Sequence, residues 1–185
     1  MTWHFISLND VVPTPWRNGG GTTRELVAWP DSTAWRWRAS VAEVIESGPF
    51  SSFAGVQRWF AVLGGNGVRL TIAGCLHKLN KSDEPLMFDG ASQTYCELPS
   101  GATQDFNLMV QDGVRAQMRR ISGRCNVVAN APKIIAVYPG NQCATVQIGT
   151  EKHQLLPFSF GWALVQANLA VHVLASNALL MEIDP

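Results

Sequence analysis

Short stretches of alternating apolar and polar residues, each ended by Gly, Pro, Asn or Asp, recur along the whole chain and constrain its fold more than any other feature. Hardly any window spaces apolar residues as an amphipathic helix requires, so the pattern favours strands. Many short strands in one chain are typical of sandwiches and barrels. The sequence therefore predicts an all-β protein, with strands at residues 22–28, 36–44, 58–63, 68–72, 94–98, 106–110, 133–138, 144–148, 162–166, 171–174 and 179–183.

The balance of apolar and charged residues excludes several classes of protein. With 185 residues, 46% of them hydrophobic, the chain can bury a sizeable core, which excludes a disordered protein. Its net charge of zero offers no basic field for nucleic acid or an anionic membrane surface. Because no segment approaches the roughly 18 apolar residues of a membrane span, and the N-terminus does not read as a secretory signal, we expect a cytoplasmic protein.

Two glycine-containing turns suggest an internal repeat. Residues 59–63 and 68–72 flank the string Gly64-Gly-Asn-Gly67, which predicts a β-hairpin because glycine and asparagine tolerate positive φ. A weaker version of this order follows Lys133, where a Pro-Gly-Asn turn separates two strands. We therefore predict two β-barrel halves, residues 1–112 and 113–185, that pack as one unit and whose terminal strands swap between halves.

Charge is distributed unevenly between these halves. Residues 16–58 contain five arginines, whereas from Cys125 onward only five residues are charged. We expect the ligand site in the N-terminal half. The apolar C-terminal half is then a scaffold, or a surface for self-association in a homodimer.

Residues 35–43 place arginine side chains on one face of a predicted strand. Alternation puts Trp35 and Trp37 on one face and Arg36, Arg38 and Ser40 on the other. These guanidinium groups are either solvated or, if their face lines the mouth of the barrel, placed to bind an anion, since the arginine fork suits carboxylate or phosphate.

The string Trp16-Arg-Asn-Gly-Gly-Gly-Thr-Thr-Arg-Glu25 is the most unusual in the chain. It lacks the Gly-Lys-Ser/Thr ending of a phosphate-binding P-loop and does not open a helix. It is either a flexible turn or a segment whose backbone approaches a ligand and donates N–H groups. On the second interpretation the candidate ligand-binding residues are Arg17, Asn18, Gly19, Gly20, Gly21, Thr22, Arg24 and Glu25.

Three further strings, at residues 48–58, 86–93 and 105–109, combine aromatic and polar residues in the manner of a small-molecule pocket. Asp105 and Asn107 have an alternative interpretation as hydrogen-bonding residues of turns or strand ends. The candidate ligand-binding residues in these strings are Phe50, Arg58, Asp89, Gln93, Asp105 and Asn107.

Neither the histidines nor the cysteines are spaced as metal ligands. The four histidines form no H-x-H or H-x-x-x-H pair, and the four cysteines form no C-x-x-C. No G-x-S-x-G string marks a nucleophilic serine. We therefore expect neither a metal nor a cofactor.

Taken together, the strings at residues 16–25, 48–58, 88–90 and 105–109 resemble the HutD/Ves family. This resemblance implies a bicupin, that is, two cupin-like β-barrels in one chain. It also implies a link with histidine utilisation, where a regulatory role and binding of an intermediate such as N-formylglutamate have been suggested for the family.

The cupin comparison implies a site without metal. Metal-binding cupins carry histidines and a glutamate near the first hairpin, whereas the corresponding regions here are residues 50–53 with Arg58, and residues 89–93. Aromatic residues, arginine and glutamine suit an anion that carries an amide or formyl group. Residues 110–113 lack an arginine that many relatives have there, so we expect no ligand contact from this segment.

Three hypotheses about function follow. In the first, a regulatory protein binds a small carboxylated metabolite, and Arg17, Arg24 or Arg58 pairs with its carboxylates. In the second, a metal-free isomerase or hydrolase acts on such an acid, with Glu25, Asp89 and Asp105 as acid–base groups. In the third, a Ves-like stress-associated protein docks partners on its C-terminal half, which has few charged residues.

Overall fold

The computed structural model describes residues 2–185, and almost all of its regular structure is β-strand, which confirms the all-β prediction. The chain divides into two compact units. One is formed by residues 11–113, and the other joins residues 114–185 to the N-terminal segment that ends at Asp10. That segment contains strand β1 (His4–Ser7) and the 3-10 turn Leu8–Asp10. No helix within residues 2–185 has the length and apolar character needed to cross a membrane.

Two antiparallel sheets make up the unit of residues 11–113. Its strands are β2 (Thr14–Pro15), β3 (Gly21–Trp29), β4 (Trp37–Val44), β5 (Gly48–Pro49), β6 (Val56–Gly64), β7 (Val68–Ile72), β8 (Cys75–Leu79), β9 (Leu86–Asp89), β10 (Thr94–Glu97) and β11 (Thr103–Gln111). The six-stranded sheet has the order β2-β3-β4-β11-β6-β9, and the four-stranded sheet the order β5-β10-β7-β8. Apolar side chains from both sheets, among them Phe60, Val62, Leu70 and Cys96, form a common core.

The predicted hairpin at residues 59–72 is wrong, although both of its segments are strands. β6 pairs with β9 and β11, whereas β7 pairs with β8 and β10. The turn between them therefore carries the chain from one sheet to the other. Gly65 and Gly67 have positive φ in this turn, and a Cβ on either would lie 2.4 to 2.5 Å from a carbonyl oxygen. The glycines thus determine the turn, while the strand partners are determined by packing.

A seven-stranded antiparallel sheet forms the other unit. Besides β1, its strands are β12 (Ala116–Val128), β13 (Lys133–Tyr138), β14 (Ala144–Ile148), β15 (Glu151–Leu155), β16 (Ser159–Val165) and β17 (Ala170–Ile183). The order is β1-β16-β13-β17-β14-β15, with β12 also pairing with β17. Its core is mainly apolar and includes Ile135, Val146, Leu155, Val173 and Leu180.

The longest pairing in this unit, between β12 and β17, is absent from the sequence prediction. β12 contains Arg119, Arg120, Gly123 and Arg124, so its sequence has no sustained alternation. β17 was predicted as two strands, but β12 pairs along its whole length and joins them into one strand of 14 residues. A register shift between Ile121 and Gly123 accommodates the irregularity.

Candidate functional site

A cleft of about 870 Å³ lies in the unit of residues 11–113, on one face of the six-stranded sheet. Alternation along β4 and β6 turns every second side chain toward it. The lining residues are Thr14, Pro15, Trp16, Arg17, Asn18, Thr23, Glu25, Arg38, Ser40, Ala42, Val44, Pro49, Phe50, Ser51, Phe53, Arg58, Phe60, Asn107 and Met109.

Strand register brings the polar residues of the cleft together. Glu25 of β3 lies opposite Ser40 of β4, and Ser40 lies opposite Asn107 of β11. Farther along the strands by two residues, Met109 of β11 lies opposite both Arg38 of β4 and Arg58 of β6. The floor of the cleft therefore presents two guanidinium groups beside a row of a carboxylate, a hydroxyl and an amide.

Arg58 is the most deeply buried charged group in this cleft, with only 5% of the residue exposed. Its Nη2 donates to Asn107 Oδ1 over 3.0 Å, and its Nη1 donates to the Ser51 carbonyl oxygen over 3.4 Å. Its buried Nε has no hydrogen-bond partner within residues 2–185. The two hydrogen bonds orient the guanidinium but leave part of its donor capacity unused.

Three phenylalanine rings surround the same guanidinium. The Cζ atom of Arg58 lies 5.3 Å from the ring centroid of Phe50, 5.7 Å from that of Phe53 and 5.1 Å from that of Phe88. Cation–π attraction at these distances partly compensates for lost hydration but supplies no negative charge. The cage therefore holds Arg58 in place without neutralising it.

No carboxylate among the described residues forms an ion pair with Arg58. Burial, and secondarily repulsion from Arg38, lowers the pKa of Arg58 to about 10. The group is therefore still charged at neutral pH. A buried cation of this kind is costly unless an anion pairs with it.

Arg38, in contrast, has a partner. Its Nη2 lies 3.4 Å from Glu25 Oε2, and its guanidinium lies 5.7 Å from the ring centroid of Trp35. The Arg38 and Glu25 side chains are 22% and 41% exposed, so the pair is accessible from the cleft. The buried Nε of Arg38 has no hydrogen-bond partner within the described chain.

Asn107 and Ser40 add uncharged polar groups between the two arginines. An arginine side chain only donates, so the Asn107 atom that faces Arg58 is its oxygen. The Nδ2 group of Asn107 is then available to donate elsewhere. Ser40 is buried and lines the cleft with a hydroxyl that both donates and accepts.

The first three residues of the triple-glycine string, Trp16 to Asn18, lie at the rim of the cleft. Trp16 Nε1 donates to Thr23 Oγ1 over 2.8 Å, and the Trp16 ring packs edge-on against Phe50. A Cβ at Gly21 would lie 2.4 Å from the Glu43 carbonyl oxygen and 3.2 Å from the Trp16 ring. Gly21 therefore allows the close approach of the loop to β4, whereas Arg17 and Asn18 are the rim residues whose side chains face the cleft.

Asp105 lies on the same face of β11 as Asn107 but is fully buried and does not line the cleft. Its Oδ2 accepts a hydrogen bond from Thr103 Oγ1 over 2.8 Å, and its Oδ1 has no hydrogen-bond partner in the described structure. Burial raises the pKa of Asp105 to about 7, against the opposing effect of the Thr103 bond. Burial, with a smaller contribution from Asp105, also raises the pKa of Cys96 to about 12.

The cleft brings together six of the residues predicted from sequence: Arg17, Asn18, Glu25, Phe50, Arg58 and Asn107. The others lie outside its lining, namely Gly19, Gly20, Gly21, Thr22, Arg24, Asp89, Gln93 and Asp105. Arg24 occupies the opposite face of β3 from Thr23 and Glu25. Asp89 is exposed, and its Oδ1 accepts a turn hydrogen bond from the backbone N–H of Ala91.

Several lining residues were absent from the candidate list, among them Thr23, Arg38, Ser40, Phe53 and Phe60. The alternation of residues 35–43 contained a signal for Arg38 and Ser40, because it placed both on one face without deciding which face is enclosed. Arg36, two residues earlier, is exposed and does not line the cleft. Within residues 2–185, no three His, Cys, Asp or Glu side chains are grouped to hold a metal ion.

Sequence comparison connects the chain to one family. The HutD family model matches residues 8–181. An uncharacterised 21.2 kDa protein in the hutC 3′ region of Pseudomonas putida is 33% identical over 154 residues, covering 82% of this chain and 81% of that protein. Protein Ves of Cronobacter sakazakii is 39% identical over 117 residues, covering 62% of this chain and 65% of that protein.

Structural comparison agrees with the sequence comparison. HutD from Pseudomonas fluorescens SBW25 superposes with a TM-score of 0.84 at 30% identity, covering 98% of each chain. Oxalate decarboxylase from Lactobacillus farciminis superposes with a TM-score of 0.68 at 7% identity, covering 97% of this chain and 85% of that protein. The second match is to a cupin-like protein and shows the fold alone.

Proposed function

The chain belongs to the HutD family, and on that premise we propose that it binds a small carboxylated metabolite, such as N-formylglutamate, in the cleft and acts as a regulatory protein of histidine utilisation. The related protein of Pseudomonas putida lies in the hutC 3′ region. The proposal also holds that the protein is cytoplasmic and that it acts by binding its ligand, without a metal or another cofactor.

The observation that carries this proposal is the buried Arg58 without a carboxylate partner. A protein that gains nothing from such a cation would be more stable with an apolar side chain in its place. A ligand carboxylate supplies the missing charge, and the guanidinium fork donates two parallel hydrogen bonds to its oxygens. The surrounding phenylalanine rings exclude water and strengthen that pairing.

The other lining residues fit the remainder of such a ligand. The Nδ2 group of Asn107 and the hydroxyl of Ser40 suit a formyl or amide group beside the first carboxylate. Arg17, exposed at the rim, is available to a second carboxylate. A dicarboxylate with one neutral polar group therefore matches the donors of the cleft.

The proposal includes a particular arrangement of the fold. We infer that each unit is a cupin-like barrel, as the family resemblance implies, and that the ligand binds in the barrel of residues 11–113. The segment at residues 50–53, where metal-binding cupins carry ligands, here contributes Phe50 and Phe53 to the cage around Arg58. Association of two copies into a homodimer belongs to the same proposal.

An enzyme acting on the same class of acid is the second candidate. Of its three acid–base candidates only Glu25 lines the cleft, since Asp89 and Asp105 lie outside it. Glu25 is also engaged in an ion pair with Arg38, so its carboxylate is not free to face a substrate alone. Binding without turnover is therefore favoured, and a new product in an NMR time course, lost in Glu25→Gln, would favour the enzyme.

The test is calorimetric titration of N-formyl-L-glutamate into the protein and into Arg58→Ala. We expect the variant to lose at least about 100-fold in affinity, equivalent to about 2.7 kcal/mol, because the ligand carboxylate loses its buried partner. Arg69→Ala, which removes an exposed arginine paired with Glu97 outside the cleft, is the matched control and should bind as the wild type does. Equal affinity of the wild type and Arg58→Ala would overturn the proposal.

A further inference from the structure

The cleft distributes its charges unevenly, and this distribution bears on which acids it accepts. Its deepest charged group is a cation, Arg58, with Asn107 and Ser40 beside it. A carboxylate is favoured there. The ammonium group of a free amino acid, however, would lie within a few ångströms of the carboxylate it accompanies, and therefore close to the Arg58 guanidinium in a site with little water.

Glu25 is the one carboxylate among the described residues that line the cleft. It could compensate an ammonium group only if it were free. Arg38 Nη2 lies 3.4 Å from Glu25 Oε2, and Trp35 packs against the Arg38 guanidinium. A ligand ammonium at Glu25 would compete with Arg38 for the carboxylate and would add a third positive charge beside Arg38 and Arg58, which already repel each other.

We propose that the cleft selects acids whose amino group is absent or acylated, and that Arg38 determines this specificity by occupying the Glu25 carboxylate. This inference rests on the proposed binding of carboxylates and adds a class of ligands that is rejected. The accepted class contains N-acyl amino acids and unsubstituted dicarboxylates. The rejected class contains zwitterionic amino acids of the same length.

An acylated nitrogen fits where an ammonium does not, for two reasons. Acylation removes the positive charge, so the repulsion from Arg58 and Arg38 disappears. It also adds a carbonyl oxygen, which accepts hydrogen bonds from groups that only donate, such as guanidinium N–H, or from the Nδ2 group of Asn107. The Arg38 side chain lines the cleft, is 22% exposed and forms one ion pair among the described residues, at Nη2, so its guanidinium has donor capacity left for such an oxygen.

The experiment titrates three acids that share one five-carbon skeleton: glutarate, N-acetyl-L-glutamate and L-glutamate. For the wild type we expect L-glutamate to bind at least tenfold more weakly than glutarate. In Arg38→Gln the Glu25 carboxylate is released, so the ratio of the two affinities should shift at least tenfold toward L-glutamate. In the double variant Glu25→Gln/Arg38→Gln this gain should disappear.

Arg36→Gln is the matched control, because it removes the same charge two residues away from an exposed position outside the cleft. The ratio of affinities for L-glutamate and glutarate should stay at the wild-type value. A shift in this control equal to that of Arg38→Gln would show that net charge, not the Glu25 pair, sets the preference, and would overturn the inference.

The two proposals fail in different ways. Equal binding of L-glutamate and glutarate to the wild type overturns the inference about specificity and leaves the binding of carboxylates intact. Absence of binding by all three acids and by N-formyl-L-glutamate overturns the proposed function and, with it, the inference. Should Arg38→Gln fold poorly, Glu25→Gln supplies a second test. This variant frees Arg38, so glutarate should bind more tightly than to the wild type. The ratio of the two affinities should not shift toward L-glutamate.

Discussion

The two units of this protein use antiparallel strands to enclose very different interiors. In the unit that contains residues 114–185 the core consists of apolar side chains such as Val146, Leu155 and Leu180. In the unit of residues 11–113 the interior also contains Ser40, Arg58, Thr94, Thr103, Asp105 and Asn107, all buried. In the other unit, Ser159 is the one described residue in the same class of buried polar or charged side chains.

This difference indicates that the buried polar groups of residues 11–113 lower the stability of that unit. A buried polar group stabilises a fold only when it is well paired, and a buried charge without a counter-charge destabilises it. Buried polar atoms without a hydrogen-bond partner in the described structure occur in both units, Trp3 Nε1 in the apolar unit among them, but Arg58 and Asp105, which also have such atoms, are buried ionisable groups of the unit with the cleft. We interpret the apolar unit as the part that contributes stability and the unit with the cleft as the part that retains costly groups for binding.

Leu180→Ala should have the largest effect, and it tests the apolar unit. Leu180 is fully buried in the core, so its truncation should lower the free energy of unfolding by about 2–5 kcal/mol. Urea denaturation measures this loss. Calorimetric titration of N-formyl-L-glutamate, at a temperature where the variant is still folded, should show unchanged affinity. Leu174→Ala, at a half-exposed position of the same strand, is the matched control and should change stability by less than about 0.5 kcal/mol. Weakened binding in Leu180→Ala would break the division of roles.

Asp105→Asn should have the next largest effect, and it is dependent on pH. The folded-state pKa of Asp105 is raised to about 7, so the folded protein holds a proton that the unfolded chain releases near pH 4. This group therefore favours folding most below pH 4, and its contribution is lost as the pH rises toward 7. Relative to the asparagine variant, the wild type should lose on the order of a few kcal/mol between pH 4 and pH 8.

Thermal or urea unfolding of both proteins across that range measures the difference. Asp112→Asn, at an exposed position shortly after β11, is the control and should leave the pH profile of the wild type unchanged. A constant difference in stability between the wild type and Asp105→Asn at every pH would show that the carboxyl group does not titrate in this range.

Arg58→Met should have the smallest effect on stability and the most informative sign. Methionine has no charge to desolvate and fits among the phenylalanine rings, so the ligand-free protein should gain about 1 kcal/mol in stability. The thermal midpoint without ligand measures this gain, with Arg69→Met as an exposed control. A variant less stable than the wild type would show that Arg58 stabilises the ligand-free fold. The difference between the two interiors would then give no evidence of a binding role for Arg58.

Sequence reasoning identified strands better than it identified their partners. The segments at residues 68–72, 133–138 and 144–148 were predicted with the bounds observed. In the turn between β6 and β7, Gly65 and Gly67 have the expected positive φ, whereas Gly64 is the last residue of β6. The hairpin across that turn was wrong, because each of its strands pairs with other strands in a different sheet. Likewise β13 and β14 each pair with a different part of β17.

The candidate site shows the same limit. The sequence alone determined the all-β class, the positions of the turns and the concentration of arginines in residues 16–58, because alternation and turn chemistry act between residues that are neighbours along the chain. It could not choose among Arg17, Arg24 and Arg58 or decide which face of residues 35–43 is enclosed. Only the tertiary structure decided this, since the burial of Arg58 and its bond to Asn107 join residues 49 positions apart. Whether a side chain is solvated or enclosed depends on which distant strands pack over it, and that information is not local.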